Sequence, residues 1–137
     1  MKSLILHCSK FNSEFKSLAT RPKNIEPETV NQTKWEHNES VVALITVEKE
    51  DNIETISSQM AEELKNILKD LGKESLVIVP FAHLSNNIAD HRSALSFLDL
   101  LEDKLKGFKI SRVHFGSHKS LLLDIPGHVG NVRFREF

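Results

Sequence analysis

His83, Ser85, His118, Lys119 and His128 are the side chains whose placement along the chain could do chemistry. His83 lies in Pro-Phe-Ala-His-Leu-Ser, residues 80–85, directly after the apolar run Leu76-Val77-Ile78-Val79. Such a run suits a strand buried on both faces. Pro80 cannot donate to a ladder, so pairing should stop there. His83 is then delivered just past a strand's carboxyl end, where open α/β sheets place their ligands. With Lys119 and the backbone amides near Gly116 and Gly127, this set suits hydrolysis of an activated ester. A good leaving group asks only for a positioned water and a stabilised oxyanion. A lysine or an N–H can hold the developing charge, and a histidine can orient or deprotonate the water. Each residue also has a plainer reading: His83 as a satisfied structural histidine, Lys119 as a solvated lysine in a turn.

Other chemistries lack their residues. No phosphate loop, dinucleotide glycine fingerprint or nucleophile elbow occurs. The seven histidines form no zinc spacing with the single Cys8, and no His-Glu-x-x-His is present. His114 and His118 flank a glycine turn rather than share a helix face. Neither a metal nor a cofactor is therefore expected. One cysteine allows no internal disulfide and favours a reducing, cytoplasmic setting. The formal net charge is −1, whereas a protein gripping long duplex nucleic acid through phosphates is usually basic. Contact with a nucleic-acid end stays open. No apolar run reaches membrane-spanning length, and Met1–His7 is too short for a signal peptide.

The 137 residues fit one domain with a core that needs no disulfide or metal. Ser3–Cys8 and Ser40–Glu48 read as strands, with a long polar loop over Lys16–Asn38. Ile53, Ile56, Met60, Leu64, Ile67, Leu68 and Leu71 recur every three or four residues and predict a helix. Asp51 and Glu54 give it a capping-box-like start, and Gly72 a C′ glycine. Leu76–Phe81 is the next strand and Ala89–Lys106 the second helix. Phe108–His114, Lys119–Ile125 and Val129–Phe137 read as further strands. The middle is strand–helix–strand–helix–strand, which lays its strands parallel. The expected fold class is α/β, a mixed β-sheet domain with two main helices.

The motifs carry a family resemblance. The chain resembles the N-terminal editing domain of archaeal threonyl-tRNA synthetases, a fold related to D-aminoacyl-tRNA deacylases. The matching pieces are Leu4-Ile5-Leu6-His7, Ala43-Leu44-Ile45-Thr46-Val47-Glu48-Lys49, Pro80-Phe81-Ala82-His83-Leu84-Ser85, Phe115-Gly116 followed by Lys119, and Gly127-His128. They keep their order over nearly the whole chain. The resemblance implies removal of L-serine misattached to tRNA(Thr), with threonyl-tRNA(Thr) spared. Serine lacks only a methyl group, which supports roughly 1–3 kcal/mol of discrimination, so a second site has to correct the error.

By position, the resemblance makes Lys119 and His83 the candidate catalytic residues. Phe81, Ala82, Phe115, Gly116 and His118 would line the aminoacyl-adenosine pocket, with Ala43 and Leu44 beside the serine side chain. The tRNA's terminal ribose hydroxyl and backbone groups would assist, which fits the absence of a triad. The partners implied are the aminoacylated 3′ end of tRNA(Thr), a second copy of the chain, and synthetase domains in cis or in trans. Three departures stand out. His118 replaces the family's usual Tyr before the lysine, Cys8-Ser9 replaces Ser-Asp, and Val132 lies near the usual position of a Glu. A D-aminoacyl-tRNA deacylase is the nearest alternative, but its Ser-Gln-x-Thr and Gly-Pro-x-Thr signatures are missing. A non-catalytic module binding an aminoacyl-adenosine or RNA end is the alternative from another class.

Overall fold

In the computed structural model, which describes residues 1–137, two long strands form the frame. Strand β1 (Lys2–Leu18) pairs antiparallel with β2 (Lys34–Thr46), from Lys2 opposite Thr46 to Glu14 opposite Lys34. Both reach into the segment read from sequence as loop. Polar residues 34–38 are strand because β1 supplies their ladder partners and only every second side chain is covered: Trp35 is buried between exposed Lys34 and Glu36. The connecting loop shrinks to residues 19–33.

The pleat of this hairpin changes phase at Glu39. Leu6 and Cys8 share a core with Phe11, and Val42 and Leu44 share it with Trp35, so even positions give way to odd ones in both strands. Glu39 sits between the Cys8–Ser40 and Lys10–Asn38 pairs at φ 48°, a left-handed conformation uncommon for a residue with a Cβ. Its carboxylate is held by Lys73 Nζ at 2.7 Å and His7 Nε2 at 2.9 Å.

From β2 the chain alternates. Helix α1 (Ile53–Leu71) leads to β3 (Ser75–Pro80), and α2 (His91–Lys104) leads to β4 (Lys109–Arg112). β2, β3 and β4 are parallel, as the alternation requires. Helix α1 starts one residue later than its sequence cap suggests. Asn52, not Asp51, accepts from the Thr55 N–H at 3.0 Å. Asp51 instead meets the Met1 ammonium at 2.8 Å and the Glu48 N–H at 2.7 Å. Gly72 closes the helix at φ 63°. Asp90 caps α2 through the Ser93 N–H at 3.0 Å.

β5 (Ser117–Asp124) and β6 (Val132–Glu136) return to the free side of β1, β5 on residues 10–18 and β6 on residues 2–6. The order is β4-β3-β2-β1-β5, with β6 also on β1. A flat sheet would set β1 and β4 about 14 Å apart, three spacings of nearly 5 Å. Yet the Phe15 ring on β1 meets the His114 ring, just past β4, edge-on at 5.5 Å between centroids. The sheet is therefore curled.

The middle of the sheet is buried on both faces. Helices cover one, over Ile5, Val41, Ala43, Ile45, Leu76 and Ile78. The concave face holds Leu6, Phe11, Trp35, Leu44, Val77, Val79 and Val113. Residues 76–79 alternate between the two, which is why they read as a continuous apolar run. No helix is long and apolar enough to cross a membrane.

Candidate active site at the strand ends

Two segments meet the carboxyl ends of the parallel strands. The first is Phe81–Ser85. Phe81 still donates its N–H to the Ile45 carbonyl at 2.9 Å. The chain then turns through a short 3₁₀ helix, Ala82–Leu84. The Thr46 hydroxyl donates to the Phe81 carbonyl and accepts from the Leu84 N–H at 3.3 Å. Ser85 donates to Glu48 at 2.6 Å. Ala82 and His83 are exposed, and the imidazole stands nearly perpendicular to the Phe81 ring, centroids 5.0 Å apart. Phe81 itself packs on the concave core.

The second is Val113–Lys119. Val113 continues the parallel pairing through a 2.9 Å bond to the Ile78 carbonyl. His114 Nε2 lies 2.8 Å from the Glu28 carbonyl, an acceptor, so Nε2 carries the hydrogen. The Phe115 carbonyl accepts from the Glu28 N–H at 3.3 Å, and the Gly116 carbonyl accepts from the Ala19 N–H at 2.8 Å. Gly116 has φ 86°, and a Cβ there would lie 2.8 Å from Pro27 Cα. No other residue fits.

Residues 114–117 keep unusual polar capacity. The N–H groups of Phe115 and Gly116 donate to no group of the protein. His114 Nδ1 and Ser117 Oγ are buried without a partner. Native structures leave few such atoms, and consecutive free amides form a receptor for negative charge. Lys119 stands two residues on, half-buried, with Nζ 3.2 Å from the Ser117 carbonyl. Burial pushes its ammonium below the usual lysine range, while the Glu28 charge pulls the other way. Opposite it, β1 carries a bulge: Phe15 pairs with Lys119, but Ser17 pairs with His118. Bulges re-aim side chains. His118 is exposed where Lys119 is half-buried, so the two do not share an environment.

Of the pair expected beside the serine side chain, only Leu44 is on the concave face. Ala43 is 0% exposed in the helix-side core, whereas Leu44 is 4% exposed in the core that Phe81 joins. Adjacent strand residues point to opposite faces, so the Ala43 methyl cannot line a pocket there. A cavity of about 800 Å³ opens on the other side of His114, between α2, β4 and residues 28–32, and shares only His114 and its partner Glu28 with these segments. Arg112 lies in it among Glu28, Asp99 and Glu102, at 3.3, 2.9 and 3.3 Å. Three carboxylates on one guanidinium are the wrong sign for an RNA terminus. Here they brace the loop against the edge strand.

Sequence reasoning missed Thr46, Glu48, Glu28 and the pairing of His7 with His128. Their partners are remote in the chain, so no local spacing reports them. Thr46 alone had a signal, as a hydroxyl residue inside an otherwise apolar strand.

The comparisons with known proteins agree along the whole chain. A family model described as the archaea-specific editing domain of threonyl-tRNA synthetase matches residues 1–136. A threonine–tRNA ligase of Thermococcus gammatolerans is 33% identical over 132 residues, covering 93% of this chain and 21% of that protein. A threonine–tRNA ligase editing subunit of Saccharolobus solfataricus is 33% identical over 126 residues, 91% of this chain and 31% of that one. The chain thus spans about a fifth of the ligase and about a third of the editing subunit. Among solved structures, one titled c-Myc DNA Unwinding Element Binding Protein superposes with a TM-score of 0.67, at 14% identity, over 100% of this chain and 99% of that one. That identity speaks for the fold alone.

Proposed function

This chain belongs to the archaea-specific editing domain family of threonyl-tRNA synthetase, and from that premise we propose that it hydrolyses seryl-tRNA(Thr) and spares threonyl-tRNA(Thr). The observation that supports the chemistry most is the run of unpaired polar atoms at residues 114–117, two residues from a half-buried lysine.

Water adds to the ester carbonyl, and the charge on its oxygen is met by the Phe115 and Gly116 amides with the Lys119 ammonium. Donors of this kind are worth about 3–4 kcal/mol each when aimed at the developing oxyanion. The C–O bond to the terminal ribose then breaks, serine leaves as a carboxylate, and the ribose oxygen takes up a proton. His83, exposed and seated on Phe81, orients the water or binds the adenosine end rather than acting as a lone base. Leu44 and Phe81 supply the apolar wall on the concave face, and backbone closes the slot against the methyl of threonine.

The near-neutral charge suits a domain that handles one RNA end while other modules hold the tRNA body. Those modules are synthetase domains, in cis or in trans, in the cytoplasm. A second copy of the chain is a further proposed partner. Leu121, Leu122, Val132, Phe134 and Phe137 are exposed on and beside β5 and β6, strands whose outer edges pair with nothing. Edges of this kind are normally covered or blunted, and a two-fold axis would cover both at once. Phe134→Glu should then yield monomers on size-exclusion chromatography.

The site is tested with a complex of a non-hydrolysable 3′-seryl-adenosine analogue. The expected pose puts its carbonyl oxygen on the Phe115 and Gly116 amides, within reach of Lys119. Binding in the acidic cavity beside Arg112 would refute it.

A further inference from the structure

We propose that Thr46 is a positioning residue for the turn that presents His83, with Glu48 as a second clamp on the same segment. Thr46 is 2% exposed. A buried hydroxyl is unfavourable in a strand unless it is bonded, and valine would fill the same volume with better strand propensity. The hydroxyl is used twice. It donates to the Phe81 carbonyl and accepts from the Leu84 N–H. One oxygen therefore closes both ends of the Ala82–Leu84 turn. The turn has no cap of its own, since Phe81 makes no side-chain bond to it. Three residues do not hold a 3₁₀ conformation unaided.

The rest of the segment is stitched to the same stretch of chain. Glu48 takes the Ser85 hydroxyl at 2.6 Å, and Ser85 Oγ accepts from the Asn87 N–H at 3.0 Å. The Asn87 carbonyl accepts from Lys49 at 3.1 Å, and Ala89 donates to the Val47 carbonyl at 2.9 Å. Leu44, Thr46 and Glu48 stand at alternate positions, so one face of β2 and its continuation bears Leu44 of the concave core, the turn holder and the clamp. The exposed imidazole has no hydrogen-bond partner in the protein and meets the Phe81 ring edge-on. Its location is therefore set through the backbone that Thr46 holds. A shift of about 1 Å in such a group can cost on the order of 100-fold in rate.

The kinetic part of this inference rests on the proofreading reading; the structural part does not. The test compares Thr46→Val, which keeps shape and loses the hydroxyl, with Thr46→Ser, which keeps the hydroxyl. In the valine variant the Leu84 amide should exchange with solvent about tenfold faster, the yield of one lost hydrogen bond. The His83 imidazole resonance should move. For seryl-tRNA(Thr), kcat should fall about tenfold or more with KM changed less than about threefold. Serine at 46 should restore all three. Wild-type Leu84 exchange and His83 resonance in the valine variant, or no rescue by serine, would overturn the proposal. If the wild-type chain deacylates nothing, the proofreading reading falls while exchange and resonance still decide the role of Thr46.

Discussion

His7 Nδ1 lies 2.6 Å from His128 Nε2, joining residues 121 positions apart in the chain. Two facing ring nitrogens at that distance require a proton between them. The other side of His7 reaches Glu39, and Glu39 reaches Lys73. His128 thereby ties the 126–131 turn, which also meets β1 through the bond from the His7 N–H to the Asn131 carbonyl at 2.9 Å, to the place where the long hairpin changes phase. His128→Ala should cost about 1–2 kcal/mol by chemical denaturation. It should also speed proteolysis at Val129, which is 98% exposed. A wild-type denaturation midpoint would show that the pair holds nothing.

Replacing Lys119 should separate stability from the proposed function. Burial lowers its folded-state pKa below 10.5. The unfolded chain then binds more protons than the folded one between the two values, so stability rises with pH across that window. At neutral pH the half-buried ammonium is a cost. Lys119→Met should therefore leave the thermal midpoint unchanged or higher while cutting deacylation at least about tenfold. Full activity in the methionine variant would make Lys119 an ordinary surface-strand lysine.

Acid should act through Glu48. Its bond from Ser85, then that from the Met1 ammonium, hold its carboxyl down at about 2, against an ordinary value of 4.5. A depressed folded pKa contributes stability that is complete above the unfolded value and is lost as pH falls from about 4.5 toward 2. Glu48→Gln should flatten that limb of the stability–pH curve and cost roughly 1–2 kcal/mol at pH 7, allowing for solvent screening. An acid limb as steep as the wild type's would assign the loss to other carboxylates.

Cys8 should be inert. Burial, then the charge of Asp124, pushes its thiol up to about 11 from 9.0, which leaves about 100-fold less thiolate at neutral pH. Alkylation of the native protein at pH 8 should track unfolding, with full reaction only in denaturant. Rapid labelling in the native state would mean that the concave core opens readily.

The parts of the molecule that were legible are those with local periodicity. Helix α1 follows from its apolar stripe and Gly72, and β3 from four apolar residues ended by Pro80. The distal halves of β1 and β2 were not, because an antiparallel ladder can hold polar residues such as Lys34 and Glu36 that resemble a loop by composition. The phase change at Glu39 depends on His7 and Lys73, which no nearby spacing announces. Period two alone already places Ala43 and Leu44 on opposite faces of β2. The support for Gly116 by Pro27, and for Phe115 by Glu28, comes from almost 90 residues away, across a loop with no pattern of its own.

The central claim is tested most directly by incubating the chain with tRNA(Thr) charged with L-serine or with L-threonine and measuring kcat/KM for ester hydrolysis of each. The account predicts that the seryl ester is cleaved at least about tenfold faster, the lower bound one methyl group supports, and that D-seryl-tRNA gains no advantage over the L form. Equal cleavage of the seryl and threonyl esters, preference for the D-aminoacyl ester, or binding without turnover would contradict it.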